Sequence, residues 1–252
     1  MSKKAIGIDI GGTGIKGALV DVKKGILVSE RVRVGTPEGG RPHDIAQVVR
    51  ELVERIPGAR SSVPVGICFP AVVRHGRTMS AANISKEWIG LQADELFEST
   101  LNRHVHILND ADAAGVAEVK FGAAKKVPGL VIMTTLGTGI GTALFINGQL
   151  VPNAELGHLE IDGVDYETRA AYSAKERENL SFAEWAARLQ KYYSTLERLF
   201  SPDLIIVGGG ISKQHEEFLP LLDLQAPIIP AIKRNNAGIL GAASLAYLNS
   251  ED

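Results

Sequence analysis

Two stretches of the chain repeat each other. Ile6–Val20 reads IGIDIGGTGIKGALV, and Val131–Phe145 reads VIMTTLGTGIGTALF. Gly12-Thr13-Gly14-Ile15 matches Gly137-Thr138-Gly139-Ile140, and Ala18-Leu19 falls at the same offset as Ala143-Leu144. Each copy then reaches a short turn and strand, GILV in the first and GQLV in the second. Long-range self-similarity with matching flanks points to two copies of one unit. Within each copy an apolar run is broken by glycines and then resumes, which reads as strand, tight turn, strand. Two such halves facing each other would aim two glycine turns at one cleft.

The rest of the chain fills in an α/β pattern. After the first hairpin, Lys23-Lys24-Gly25 turns the chain into ILVSERVRV, so the opening predicts an antiparallel meander. Ile45, Val48, Val49, Leu52, Val53 and Ile56 keep helical spacing until Pro57-Gly58 stops them. VPVGICF and HVHIL read as buried strands, and the second ends at Asn109-Asp110 ahead of a helical run. Phe182–Phe200 predicts a long amphipathic helix, and AGILGAASLAYL a small-residue helix suited to close packing. The formal charge of −2 offers no global field for nucleic acid or an anionic membrane. The one cysteine, Cys68, sits in an apolar run, so neither a disulfide framework nor a Cys-rich zinc site is expected. No signal peptide or membrane span is read, and a cytoplasmic protein is expected.

Three readings compete for the first glycine turn. Gly12-x-Gly14-x-x-Gly17 matches the dinucleotide fingerprint, but that motif must open a helix and this one continues as a strand. A Walker A loop needs Gly-Lys-Ser/Thr, and Lys16 is followed by Gly17. A phosphate hairpin fits: glycines turn backbone N–H groups toward anionic oxygens, and Thr13 and Thr138 add hydroxyls. Asp9, at the end of the first strand, could hold Mg2+ through water. A plain tight turn stands beside these.

DIGGTGIKG, LGTGIG and the VGGG of 207–210 together resemble the phosphate-1, phosphate-2 and adenosine segments of the sugar kinase/Hsp70/actin superfamily. Asn109-Asp110 and Glu155-Leu-Gly-His158 narrow the resemblance to the ROK family of sugar kinases. SAANISKEWIG, LVPNAELGHLE, ERLFSPDLIIVGGG and RNNAGILGAA are similar to its polyphosphate-using glucokinase and glucomannokinase subgroup. The resemblance covers nearly the whole chain. It implies two ribonuclease-H-like domains of the actin/hexokinase/Hsp70 type flanking an active-site cleft. The expected division is a smaller domain over 1–110 and a larger one over 111–236, with a helix at about 237–249 packing back on the first.

The resemblance also assigns roles. Asp110 takes the proton of the sugar's 6-hydroxyl, and Asn109 bonds a neighbouring hydroxyl. Read alone, Asp110 is just as well a helix N-cap. Glu155 and His158 become sugar ligands, and a carboxylate with an imidazole offers hydroxyls both acceptor and donor. Glu167 takes the place of a last sugar-binding glutamate, with Glu160 and Asp165 as rivals. Asn83, ahead of the Trp88 segment, is a further sugar-side candidate, and Trp88 itself reads as core. Gly11, Gly12, Thr13, Lys16, Thr138, Gly139, Gly209 and Gly210 would surround the phosphates or nucleotide. The triple glycine after DLIIV also reads as a tight strand-to-helix turn capped by Ser212.

Many ROK kinases carry a Cys-rich zinc loop where this chain reads LEIDGVDYETRAAYS, so Mg2+ without zinc is expected. The donor that the resemblance implies is inorganic polyphosphate, ATP or both. A polyphosphate chain would want a basic track, for which Lys16, Arg74, Arg77, Lys120, Lys125, Lys126, Lys233 and Arg234 are candidates. The expected reaction gives glucose 6-phosphate, with mannose as a second acceptor and a homodimer as the assembly. The family also holds sugar-sensing repressors. Four residues ahead of the first strand leave no room for a helix-turn-helix, so a kinase is expected instead.

Overall fold

The computed structural model describes residues 3–81 and 84–250. It separates into two compact units, Met1–Ala117 with Asn236–Asp252, and Glu118–Asn235.

In the first unit, β1 (Lys4–Ile10) and β2 (Ile15–Asp21) form the expected hairpin, antiparallel from Lys4↔Asp21 to Ile10↔Ile15. The predicted third strand is broken into β3 (Ile26–Leu27) and β4 (Val32–Val34), both antiparallel to β2. The break has a visible cause: the Ser29 hydroxyl accepts the Leu19 N–H at 2.9 Å, so a side chain takes a ladder position. The helix α1 (Pro42–Arg55) leads to β5 (Val65–Phe69), then the ribbon β6 (Val73–Arg74) and β7 (Arg77–Thr78). The helix α2 (Ala93–Leu101) leads to β8 (Val105–Asn109) and α3 (Asp110–Phe121). The sheet order is β3-β2-β1-β5-β8, with β1, β5 and β8 parallel.

Strand alternation splits the side chains between two faces. Ile6, Ile8 and Ile10 enter a core with Val49, Leu52 and Phe97 from α1 and α2. Trp88 is fully buried in that core and donates its indole N–H to the Gly40 carbonyl at 2.9 Å. Burial of each such side chain contributes roughly 1.5–3 kcal/mol.

The second unit repeats this plan. It holds β9 (Leu130–Leu136), β10 (Ile140–Ile146), β11 (Gln149–Val151) and the small hairpin of β12 (Glu160–Ile161) and β13 (Val164–Asp165). The helices α4 (Glu167–Ala170), α5 (Tyr172–Arg177) and α6 (Phe182–Phe200) follow, then β14 (Leu204–Gly208) and β15 (Ile228–Pro230). The order is β11-β10-β9-β14-β15, with β9–β10 antiparallel and β14 parallel to both neighbours. This is the order and direction of β3-β2-β1-β5-β8 in the first unit, where β4 is an addition without a counterpart here. α6 starts at a capping box: the Ser181 hydroxyl accepts the Glu184 N–H, and the Glu184 carboxylate accepts the Ser181 N–H. It buries Trp185, Leu189, Tyr192 and Leu196 on one face.

The last helix, α7 (Ala237–Asn249), belongs to the first unit and lies on the sheet face opposite α1. Its small residues let backbone meet backbone. A Cβ on Gly7 would fall on the Ile239 carbonyl oxygen, and one on Gly66 on that of Ala242. The division falls after Ala117, not at 110, and the first unit is the larger. α3 runs unbroken from Asp110, and its early turns carry Ala113 and Ala117 into apolar clusters with Ala242, Ile239 and Ala243 of α7. No helix among the described residues is long and apolar enough to cross a membrane.

Candidate active site

In the first unit the candidates gather at the C-terminal ends of the parallel strands. Asp9, next to last in β1, lies opposite Lys16 of β2, and the Lys16 ammonium reaches the Asp9 carboxylate at 3.2 Å. On the other side, the buried Cys68 thiol faces Asp9 Oδ1 at 3.6 Å. Burial, followed by the charges of Asp9 and Asp110, pushes that thiol well above its ordinary value. Cys68 is therefore a neutral neighbour of two carboxylates. The hairpin loop is closed by the Gly11 N–H donating to the Gly14 carbonyl at 3.1 Å, and the Thr36 hydroxyl donates to the Gly11 carbonyl at 2.6 Å. Gly12 and Thr13 are exposed at its tip.

Asn109 and Asp110 divide their work unexpectedly. The Asn109 side chain is the cap of α3: its oxygen accepts the N–H groups of Ala111 at 2.8 Å and Asp112 at 3.1 Å. Its amide donates to the Ala71 carbonyl at 3.1 Å, and the residue is buried. Asp110 is exposed, with Oδ1 accepting the Ala111 N–H at 2.9 Å. Asn83 lies outside the described residues.

In the second unit Glu155, His158, Asp165 and Glu167 form an electrostatic group. Glu155 precedes the 3-10 turn Leu156–His158. Asp165 Oδ2 lies 2.9 Å from His158 Nδ1, and the Asp165 Oδ1 atom accepts the Glu167 N–H at 3.2 Å. The Asp165 hydrogen bond, aided by the charges of Glu167, Asp165 and Glu155, raises the His158 pKa above 6.5 against the pull of desolvation. Desolvation and the Glu167 charge raise Glu155 above 4.5, and His158 opposes them. Glu167 Oε2 accepts the Ile140 N–H at 2.6 Å and packs on Gly139, where a Cβ would collide with it. Of the rivals for the last carboxylate, Asp165 orients His158, and Glu160 stands opposite Asp165 across the small hairpin.

The second glycine loop is tied from outside. Ser173 donates its N–H to the Gly137 carbonyl at 3.0 Å and its hydroxyl to the Thr138 carbonyl at 2.6 Å. Gly209 has φ 87° and ψ 172°, a region only glycine adopts easily, and its Cα faces the Leu136 carbonyl. Gly210 opens a 3-10 helix, and the Ser212 hydroxyl donates to the Gly209 carbonyl at 2.8 Å. The strand-to-helix turn is therefore present at this segment, with Ser212 closing it.

Sequence reasoning missed Arg33, Thr36, Cys68 as a neighbour of Asp9, and Ser173. Arg33 pairs with Lys16 across β2–β4, a register that the break at Ser29 hides from the sequence. Of the basic candidates, Arg74 and Arg77 face each other in the β6–β7 ribbon, and Arg77 donates to the Gly90 carbonyl at 2.8 Å. Burial lowers the pKa of Lys120. Among the described residues no group of three or more His, Cys, Asp or Glu is arranged to hold a metal ion.

The ROK family model matches residues 5–176. The polyphosphate glucokinase of Mycobacterium tuberculosis is 44% identical over 242 residues, which span 96% of this chain and 90% of that protein. The crystal structure of the inorganic polyphosphate/ATP-glucomannokinase from Arthrobacter sp. strain KM matches with a TM-score of 0.92 at 52% identity, over 98% of this chain and 99% of that one. A ROK family glucokinase from Streptomyces griseus, in complex with glucose and AMPPNP, matches with a TM-score of 0.80 at 26% identity, over 97% and 99%.

Proposed function

The chain belongs to the ROK family, and from that premise we propose that it transfers a phosphoryl group from inorganic polyphosphate, ATP or both to the 6-hydroxyl of glucose, and also to that of mannose. One structural observation carries the reading. Capping of α3 falls to Asn109, while the neighbouring Asp110 carboxylate stands exposed at the end of β8. A carboxylate at a strand's C-terminal end, next to a helix start, suits a general base for a sugar hydroxyl.

Phosphoryl transfer asks the protein mainly for position and charge neutralisation. Asp110 removes the proton of the attacking hydroxyl. Asn109 holds the first turn of α3, and with it Asp110, and the second N–H of its amide, beside the one given to Ala71, is the group left to meet a sugar oxygen. Glu155, His158 and Glu167 bind the remaining hydroxyls. The Asp165 contact at Nδ1 fixes the His158 ring and leaves Nε2 for the sugar. The backbone of Gly11–Thr13 and of Thr138–Gly139 receives phosphate oxygens, with Lys16 adding a positive charge. Gly209 and Gly210 let the backbone approach the donor.

Asp9 fits Mg2+ of the kind that keeps its waters: one partly exposed carboxylate, with the donor's own phosphates completing the shell. When bound, the ion would neutralise charge on the transferring phosphoryl group. The buried, unpaired cysteine suits a reducing compartment, and the proposed place of work is the cytoplasm. A homodimer is proposed too, since Ile146 and Val151 on adjacent strands β10 and β11 leave apolar surface exposed for a second copy.

The test is formation of glucose 6-phosphate by purified protein with Mg2+ and glucose, in separate reactions with nucleotide-free polyphosphate and with ATP. Product from polyphosphate supports the full reading. Product from ATP alone removes polyphosphate from it. No product from either donor, with mannose also tried, overturns it.

A further inference from the structure

Asp9, Lys16 and Arg33 stand in one row across three strands. Asp9 pairs with Lys16 across β1–β2, and Lys16 with Arg33 across β2–β4. Residues directly opposite in antiparallel strands project to the same face, so all three side chains leave the sheet together, beside the first glycine loop. The row ends at β4, which pairs only with β2 among the described strands.

The Arg33 guanidinium is laid against that loop. A Cβ on Gly14 would come within 3.0 Å of Arg33 Nε and 3.3 Å of its terminal nitrogen. Gly14 has no positive φ, so its backbone makes no demand for glycine; the missing side chain instead gives the guanidinium its place. Among the described residues no carboxylate pairs with Arg33, whereas Lys16 is held by Asp9, and Arg31 donates to the Asn236 side-chain oxygen Oδ1 at 3.2 Å. An exposed arginine normally finds water or an acid. This one is kept beside a loop whose chemistry suits phosphate.

We propose that Arg33 is a donor-binding residue that takes a phosphate of inorganic polyphosphate beyond those next to the transferred group, and so favours the polymer over ATP. Two strand spacings separate Asp9 from Arg33, about 10 Å, a length that only several linked phosphates span. Along such a path polyphosphate still carries negative charge, while ATP has given way to an uncharged ribose. A planar guanidinium binds phosphate oxygens in pairs, which suits the continuing chain.

This rests on the reading of the chain as a polyphosphate-using kinase, and the experiment separates the two. Steady-state kinetics of the full-length wild type, Arg33→Gln and Arg33→Lys are measured with long-chain polyphosphate and with ATP, at saturating glucose. Inhibition by tripolyphosphate is measured alongside. In Arg33→Gln the KM for polyphosphate should rise about tenfold, the size of one lost charge-assisted hydrogen bond. kcat, the KM for ATP and the melting temperature should hold. Arg33→Lys should recover part of the loss, and polyphosphate turnover by Arg33→Gln should depend less steeply on salt. An unchanged KM for polyphosphate, or an equal rise for both donors, overturns the role of Arg33. A wild type that makes no product from polyphosphate overturns the underlying reading instead.

Discussion

Replacing Asn109 with alanine should cost the first unit a helix cap before it costs the reaction a sugar contact. The side chain makes three hydrogen bonds at an 8% exposed position: two accepted, from Ala111 and Asp112, and one donated, to Ala71. Loss of an N-cap costs about 1 kcal/mol, within roughly 0.5–2. Leaving the buried Ala71 carbonyl without its donor adds about 1–3 kcal/mol. The sum is about 2–4 kcal/mol, which for a chain of this size lowers Tm by roughly 5–15 °C. Thermal unfolding followed by circular dichroism reads it, with glucose kinetics at a temperature where the variant is still folded. Asn109→Asp separates the parts, because a carboxylate keeps both cap acceptors and loses the donor to Ala71. It should fall about halfway in Tm, and it sets a second negative charge beside Asp110. If Asn109→Ala melts with the wild type while the KM for glucose rises, the cap is not what this side chain does, and the assignment fails.

Two further predictions follow from the geometry. Asp110→Ala removes the proposed base, so kcat should fall about 10²–10⁴-fold with Tm nearly unchanged; full turnover in that variant refutes the base assignment. Asp165→Asn removes the negative partner of the His158 ring, so the His158 pKa, raised in the wild type chiefly by that hydrogen bond, should move down toward 6.5 in an NMR titration. The sign carries to stability: a histidine whose folded pKa is raised stabilises fully below 6.5, and that contribution is lost as pH rises through the raised value. The wild type should lose this part of its stability across that window, and Asp165→Asn should lose little there. An unmoved pKa would show that Asp165 does not govern the ring.

What the sequence displayed was mostly local. The two hairpins were legible because glycines interrupt apolar runs at fixed offsets, and the long helix because its apolar spacing and its Ser181–Glu184 box lie within a few residues. The division of labour at Asn109-Asp110 was hidden, since adjacent polar residues at a helix start can each be the cap and only the register of α3 decides. Arg33 was hidden for a similar reason: its importance comes from lying opposite Lys16, and nothing in VRV announces it. The segment from Leu159 to Ser173 has no periodicity to read, so Asp165 and Glu167 could not be told apart until one was seen facing His158 and the other accepting the Ile140 N–H. The boundary after Ala117 depends on which helix α3 packs against, a long-range fact.

The two copies of the hairpin differ in a way that fits two uses. The first turns through Gly11–Gly14 and the second through Gly137–Gly139, one residue shorter. One pair in from the loop, the first copy carries Asp9 and Lys16, where the second carries Thr135 and Gly141. The charges are therefore confined to one copy. The second loop is tied instead by Ser173, at Gly137 and Thr138, and the start of the strand after it by the Glu167 carboxylate, which accepts the Ile140 N–H. A metal-assisted transfer needs one carboxylate and one cation near the reacting phosphate. A duplicated phosphate loop serves such a reaction best when one copy supplies charge and the other supplies only donors.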